Sequence, residues 1–220
     1  MVIIFPDVDL TEVKAVLLDL DNCLYPYDIC HARALEDCIQ KLSQEFPQIS
    51  EAKLKEEYEK SRKACHRRLD GTASSHSRLL YCKGLLENIT GKTQAALSLE
   101  LEELYWSSYM GQMQLDTKAL AFLKECKNKS IPISLVTDLT EQIQLRKIIR
   151  LGIADYIDFV VSSEEAGVEK PAAKIFELAL SKLGKKASEV IMIGDNLEKD
   201  IKGAEALGIK AYPVTCLESK

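Results

Sequence analysis

Two aspartates two positions apart, Asp19 and Asp21, close a short apolar run. In an extended segment residues i and i+2 point to one side, so this spacing turns two carboxylates toward one cleft. Like charges that close call for a cation or a shared proton; a solvated acidic loop has the same spelling. A second acidic group, Gly194-Asp195-Asn196 with Asp200 after it, ends another apolar run and opens a helical pattern. Mg2+ takes few carboxylates, several waters and substrate phosphate, and acids from two strand ends suit it. Asp195 or Asn196 also fits a helix N-cap, with an acid in the first turn matching the dipole. Thr137 and Asp138 end a third run, where a hydroxyl and a backbone N–H hold a phosphate oxygen or simply make a turn. Lys170, just before Pro171, offers a positive charge to an oxyanion or a phosphate, or a solvated surface charge.

The elements that must carry these residues follow from the apolar pattern. Runs at 13–18, 131–136, 157–161, 190–193 and, more weakly, 209–214 are short, rich in Val and Ile, and apolar on both faces. That is how buried parallel strands read. Between the later runs, 117–126, 141–151, 172–183 and 199–207 show apolar residues at helical spacing. Gly152, Gly184 and Gly208 are placed as C-terminal caps and Pro171 as a first-turn residue. Alternating strands and helices predict a doubly wound α/β domain.

Residues 27–113 differ. They read as helix after helix over 29–46, 51–69, 76–88 and 93–110, punctuated by Pro47, Gly71 and Gly91. The expected organisation is a core from 1–26 and 114–220 and a helical subdomain from 27–113. An insert directly after the first strand leaves from its carboxyl end, where open α/β sheets bind ligands, which makes the insert a candidate lid.

The chain has 220 residues, 46% of them apolar and 29% charged, enough for one real core plus a subdomain and too apolar for a disordered chain. With 29 Lys and Arg against 34 Asp and Glu the formal charge is −5. That argues against general nucleic-acid binding, since no global attraction draws the chain to phosphate backbones. The seven cysteines contain no C-x-x-C pair, so reduced thiols of a cytoplasmic protein are expected rather than a disulfide framework. The start lacks a basic segment followed by a long apolar one, so no signal peptide is expected. No run approaches the ~18 apolar residues of a membrane span.

Taken in order, Asp19-Leu20-Asp21-Asn22-Cys23-Leu24-Tyr25, Leu135-Val136-Thr137, Lys170-Pro171 with Ile175-Phe176, and Gly194-Asp195 with Asp200 resemble the haloacid dehalogenase (HAD) superfamily across nearly the whole chain. The resemblance implies a Rossmann-like core with a parallel sheet, a small all-helical cap of the C1 type, and Mg2+-dependent phosphoryl transfer. It makes Asp19 the nucleophile that forms an aspartyl-phosphate and Asp21 the acid/base for the leaving oxygen and the water. Thr137, with Asp138 beside it, becomes the phosphate-binding corner and Lys170 the cation on the nucleophile and the phosphoryl group. Asp195 is implied as a metal carboxylate, Asp200 as a direct or outer ligand, and Asp19 and the backbone carbonyl of Asp21 as the remaining oxygens.

Keeping Asp21 favours a phosphate ester, because a halide leaves without a proton. The expected function is hydrolysis of a small phosphomonoester, a nucleoside monophosphate or a sugar phosphate, by a monomer or homodimer without membrane or nucleic-acid partners. A phosphomutase, a dehalogenase and a non-catalytic binding module on the same scaffold are the alternatives. The Asp-Asn-Cys-Leu-Tyr string resembles the pyrimidine 5′-nucleotidase-like branch, with Cys23 where most members have Thr or Val. In the helical insert, Arg62, His66, Arg67 and Arg68 form a basic stretch, and His76 and Arg78 stand at a helix start. That start reads either as a substrate contact or as a cap with a solvated basic face. Tyr105, Trp106 and Tyr109 at helical spacing read as core.

Overall fold

The computed structural model describes residues 2–217. The apolar runs become strands: β1 (Val2–Ile4), β2 (Ala15–Leu18), β3 (Ile133–Thr137), β4 (Phe159–Ser162), β5 (Val190–Gly194), β6 (Lys210–Pro213) and β7 (Thr215–Leu217). Five of them form one parallel sheet in the order β4-β3-β2-β5-β6. β2, β3 and β5 are buried along their whole length, which is why their sequences do not alternate. From β2 the chain steps outward through β3 to β4, then returns to the other side of β2 for β5 and β6. The order reverses between β2 and β5, so the carboxyl ends of these two strands flank the crevice where such sheets bind ligands.

The chain divides into two compact units. One contains the sheet and comprises the residues up to Asp28, Gly71–Ala73, and those from Met113 on. The other, Ile29–Asp70 with Ser74–Gln112, holds most of α1 (Tyr27–Glu45) together with α2 (Glu51–Arg68), α3 (Arg78–Thr90) and α4 (Ala95–Gln112). Its core is aromatic: Tyr58, Tyr81, Tyr105, Trp106 and Tyr109 are all buried. The expected span 27–113 is trimmed at both ends. Gly71–Ala73 groups with the sheet unit, where the Glu169 N–H donates to the Gly71 carbonyl (3.0 Å).

The sheet unit's helices are α5 (Thr117–Asn128), α6 (Glu141–Leu151), α7 (Ser163–Ala166), α8 (Ala173–Leu183) and α9 (Gly203–Glu205). Asp116 caps α5 through Lys118 and Ala119, and Gly152 and Gly184 end α6 and α8 in the left-handed conformation. Ile175, Phe176 and Ala179 of α8 pack with Leu17, Val136 and Met192 in the core beneath the sheet.

Four expectations change. The helix expected over 199–207 opens instead as a π-helical turn, Leu197–Lys202, ahead of α9. The strand expected from 157 starts at Phe159, because a 3-10 turn occupies Ala154–Tyr156. Pro171 precedes α8, which is capped by Ala172, rather than sitting in its first turn. A helix expected from 76 starts at Arg78, with Ser77 as its N-cap. The pairing of β1 with β7 was not foreseen; each is only three residues long. Six of the seven cysteines are buried thiols outside any disulfide, and the Cys216 thiol lies outside the described side chains. Among the described residues no helix is long and apolar enough to cross a membrane.

Candidate active site

Asp19 follows β2 directly, and its N–H donates to the Ile193 carbonyl of β5 (2.9 Å). Its side chain is buried. The Lys170 ammonium, also buried, donates to Asp19 Oδ1 and to Asp200 Oδ1, each at 2.6 Å. Carboxylate oxygens of Asp19, Asp195 and Asp200 lie within 4.8 Å of one another. Burial pushes the Asp19 carboxyl well above its ordinary range; Lys170 opposes the shift, and Asp200 and Asp195 add to it. Burial and then Asp200 push Asp195 up to about 6. Burial works against the Lys170 ammonium, but Asp19 and Asp200 outweigh it and hold the lysine charged.

Three crowded carboxylates share one ammonium, so the group is short of positive charge, and every donor is a hard oxygen. That set fits Mg2+ better than a soft metal.

The π-turn explains how Asp200 arrives there. The Asn196 side chain caps Glu198 and Lys199 (3.0 Å each), and the Asn196 carbonyl accepts from both Asp200 and Ile201 (2.8 and 3.3 Å). The widened turn swings Asp200 back so that its Oδ2 accepts the Asn196 N–H at 2.9 Å.

The Asp21 carboxylate is not in this cluster; the part the resemblance gives Asp21 toward a metal is that of its backbone carbonyl. After Asp19 the chain makes a tight turn, with Leu24 N–H donating to the Leu20 carbonyl (3.0 Å) and Asn22 left-handed at φ 59°. Asp21 is taken instead by Lys147 of α6, whose ammonium lies 2.8 Å from both carboxylate oxygens. The Tyr25 hydroxyl donates to its Oδ1 as well.

Thr137 is buried at the end of β3, and its Oγ1 accepts from Gln144 Nε2 (2.5 Å). Asp138, expected beside Thr137 at the substrate, has both carboxylate oxygens engaged within the protein. Its Oδ1 accepts the Lys170 N–H (3.0 Å) and its Oδ2 the Lys199 ammonium (2.7 Å), so its carboxylate braces the Lys170 segment. Cys23 is a buried thiol, and burial pushes it well above the usual range, which fits packing rather than reactivity.

His76 and Arg78 belong to the helical unit. His76 ends a 3-10 turn, its ring edge-on to His66 (4.9 Å). Arg78 is buried rather than part of a solvated basic face. Its guanidinium lies 5.2–5.7 Å from the ring centres of Trp106, Tyr105 and Tyr81, and Nη1 donates to the His76 carbonyl (2.7 Å). Because Ser77 takes the cap, Arg78 becomes the first helical residue and turns into the aromatic core. These contacts give it packing and cation–π attraction.

Sequence reasoning missed Lys147, Gln144 and Tyr25. The first two carry a readable signal: Ile143, Gln144, Lys147 and Ile148 are the buried residues of α6, so Gln and Lys occupy positions of the apolar stripe.

The pattern shared by haloacid dehalogenase-like hydrolases matches residues 13–208. The ribulose-1,5-bisphosphate 5-phosphatase of Halopiger xanaduensis is 45% identical over 200 residues, 89% of this chain and 82% of the relative. A glyceraldehyde 3-phosphate phosphatase of Methanopyrus kandleri is 31% identical over 199 residues, 90% of this chain and 82% of the relative. Among solved structures, a HAD phosphatase from Thermococcus onnurineus superposes with a TM-score of 0.70 at 23% identity, covering 90% of this chain and 85% of the other.

Proposed function

The chain belongs to the haloacid dehalogenase-like hydrolases and is a phosphatase of small phosphate monoesters, and on that premise we propose that it uses Mg2+, works through an aspartyl-phosphate on Asp19, and takes a phosphorylated sugar. The observation that carries the reading is the buried Asp19 carboxylate, fixed at 2.6 Å by Lys170 at the carboxyl end of the central strand. The two relatives, named for a sugar bisphosphate and a triose phosphate, favour a sugar over a nucleoside as the alcohol.

Each residue has a part in the chemistry. Asp19 Oδ attacks phosphorus, and the bond to the leaving sugar oxygen breaks. That oxygen takes a proton from Asp21. Asp21, now a carboxylate, takes a proton from the water that hydrolyses the aspartyl-phosphate and releases Asp19. Thr137 and Lys170 hold phosphoryl oxygens and balance their charge. Asp19 and Asp195 would hold the Mg2+, with Asp200 supporting through Lys170 and Asn196. Bound there, Mg2+ supplies positive charge to the transferring phosphoryl group.

The test is phosphate release from ribulose-1,5-bisphosphate, triose phosphates, nucleoside monophosphates and p-nitrophenyl phosphate, with and without Mg2+. The expected result is Mg2+-dependent turnover of a sugar phosphate that falls by a factor of about a thousand or more in Asp19→Asn. A folded Asp19→Asn protein with undiminished turnover overturns the reading. A preference for nucleoside monophosphates overturns the sugar assignment alone.

A further inference from the structure

A lysine with no exposed surface is costly to bury, and Lys147 has none. Gln144, one turn earlier on the same stripe of α6, is equally buried. They share the buried stripe of the helix with Ile143 and Ile148, yet their polar ends face the site. Both are spent on the site. Lys147 brackets the two oxygens of Asp21 at 2.8 Å. The Gln144 amide donates to Thr137 Oγ1 at 2.5 Å and to the Asp138 carbonyl at 3.0 Å.

The Gln144 bonds have a direction. A carbonyl only accepts, so the group facing Asp138 O must be the amide nitrogen. The same nitrogen faces Thr137, whose oxygen therefore accepts and whose own hydrogen points elsewhere. The Thr137 hydroxyl is thereby fixed as a donor, which is what a phosphoryl oxygen needs. Lys147 fixes the other partner: an ammonium across both oxygens holds Asp21 in one rotamer and favours its charged form, so Asp21 carries the proton it delivers only when the ammonium releases one oxygen. Asp21 is the group that must meet the leaving oxygen.

Resting on the phosphatase reading above, we propose that α6 is a positioning element with two separable duties. Gln144 presents the Thr137 hydroxyl to the phosphoryl group, and Lys147 aims Asp21 at the leaving-group oxygen. The two duties touch different parts of the substrate. Every phosphate ester needs the first. Only a poor leaving group needs the second: a sugar alkoxide must gain a proton as its bond to phosphorus breaks, whereas p-nitrophenolate departs without one.

The experiment compares wild type, Gln144→Leu and Lys147→Met on a sugar phosphate and on p-nitrophenyl phosphate, using steady-state rates and the pre-steady-state burst of p-nitrophenolate. For Gln144→Leu the expected result is a KM and an inhibition constant for inorganic phosphate raised about tenfold, with kcat within about threefold and no dependence on leaving group. For Lys147→Met it is a kcat on the sugar phosphate reduced about a hundredfold or more, with the p-nitrophenolate burst rate and the phosphate inhibition constant within about threefold of wild type. Lys147→Gln, which keeps a donor to Asp21, is expected to show the same selective loss at smaller size; it carries the test if Lys147→Met does not fold. Equal losses on both substrates, or full sugar phosphate turnover in Lys147→Met, overturn the assignment. A wild-type protein that turns over neither substrate overturns the phosphatase reading itself, whatever the variants do.

Discussion

Gly194 and Asp200 approach so closely that a methyl group on Gly194 would lie 2.5 Å from the carboxylate carbon of Asp200. Asp200 cannot yield freely, because its two oxygens are held by Lys170 at 2.6 Å and by the Asn196 N–H at 2.9 Å. The last residue of β5 is therefore glycine for a reason of space. Gly194→Ala is expected to push Asp200 off Lys170 and to disturb the acid cluster. Mg2+ affinity and activity should drop about ten- to a hundredfold, at a stability cost of about 1–3 kcal/mol. A Mg2+ titration of phosphate release beside a urea melt checks this, and a wild-type Mg2+ requirement would show that Asp200 has room.

Asp138 and Lys199 illustrate a role the sequence conceals. Asp138 ends a strand, where a substrate ligand is expected, but its partners are the Lys170 backbone and the Lys199 ammonium, which also reaches Glu169 at 3.2 Å. Asp138→Ala should misplace Lys170. The expected outcome is a kcat lowered about tenfold with KM within about threefold, since small displacements of a charged group cost rate. The reverse pattern, a raised KM with kcat intact, would restore Asp138 as a substrate ligand.

Legibility in the sequence followed how local the determinant was. Asp19, Thr137 and Asp195 were readable because a doubly buried parallel strand is an apolar run, and the polar residue that ends it is at the functional edge; Lys170 lies beyond β4 and α7 and ends no such run, so only its place before Pro171 in the resemblance marked it. The β1–β7 pair was not, because three-residue strands carry little pattern and their partner is at the other end of the chain. The π-turn at Leu197–Lys202 depends on Asn196 and on the space beside Gly194, neither of which periodicity reports. The Arg78 position hinged on one residue, Ser77, taking the cap. Lys147 could have been found, since a lysine on the apolar stripe of a helix needs a carboxylate to meet.

Asp195 is buried beside Asp200 and Asp19, and its carboxyl is pushed up to about 6, chiefly by burial. At neutral pH without metal, its charge works against folding. Two opposite effects are expected from Asp195→Asn. Without Mg2+ the variant should melt above wild type, because a crowded negative charge is gone. With Mg2+, wild type should gain about 2.7 kcal/mol at a hundredfold excess over Kd, roughly 5–10 °C in Tm for a chain of this size, and the variant should gain little. Thermal melts with and without Mg2+ read both effects. An equal gain in the variant would move the cation to another place.

His31 offers a pH test in the helical unit. Its Nδ1 lies 2.7 Å from the Tyr105 hydroxyl. Burial first, then the charges of Arg78 and Arg62, lower its pKa to about 4, with Glu59 opposing. In the unfolded chain the imidazole takes up its proton near 6.5. Between those values the unfolded state binds more protons, so stability falls as pH drops through 6.5 toward 4. The His31 contribution is thus present above pH 6.5 and lost below it. From pH 7 to pH 5 the loss should be about 1–2 kcal/mol, reduced from the ideal by the ring's partial exposure. His31→Gln removes the titration while keeping a polar side chain beside Tyr105. Urea melts of both proteins at pH 7 and pH 5 isolate the effect, because the crowded carboxylates titrate alike in each. A smaller drop in the variant is the expected result. An equal drop would mean that the imidazole accepts a proton in the folded protein as readily as in water, and that neither burial nor Arg78 restrains it.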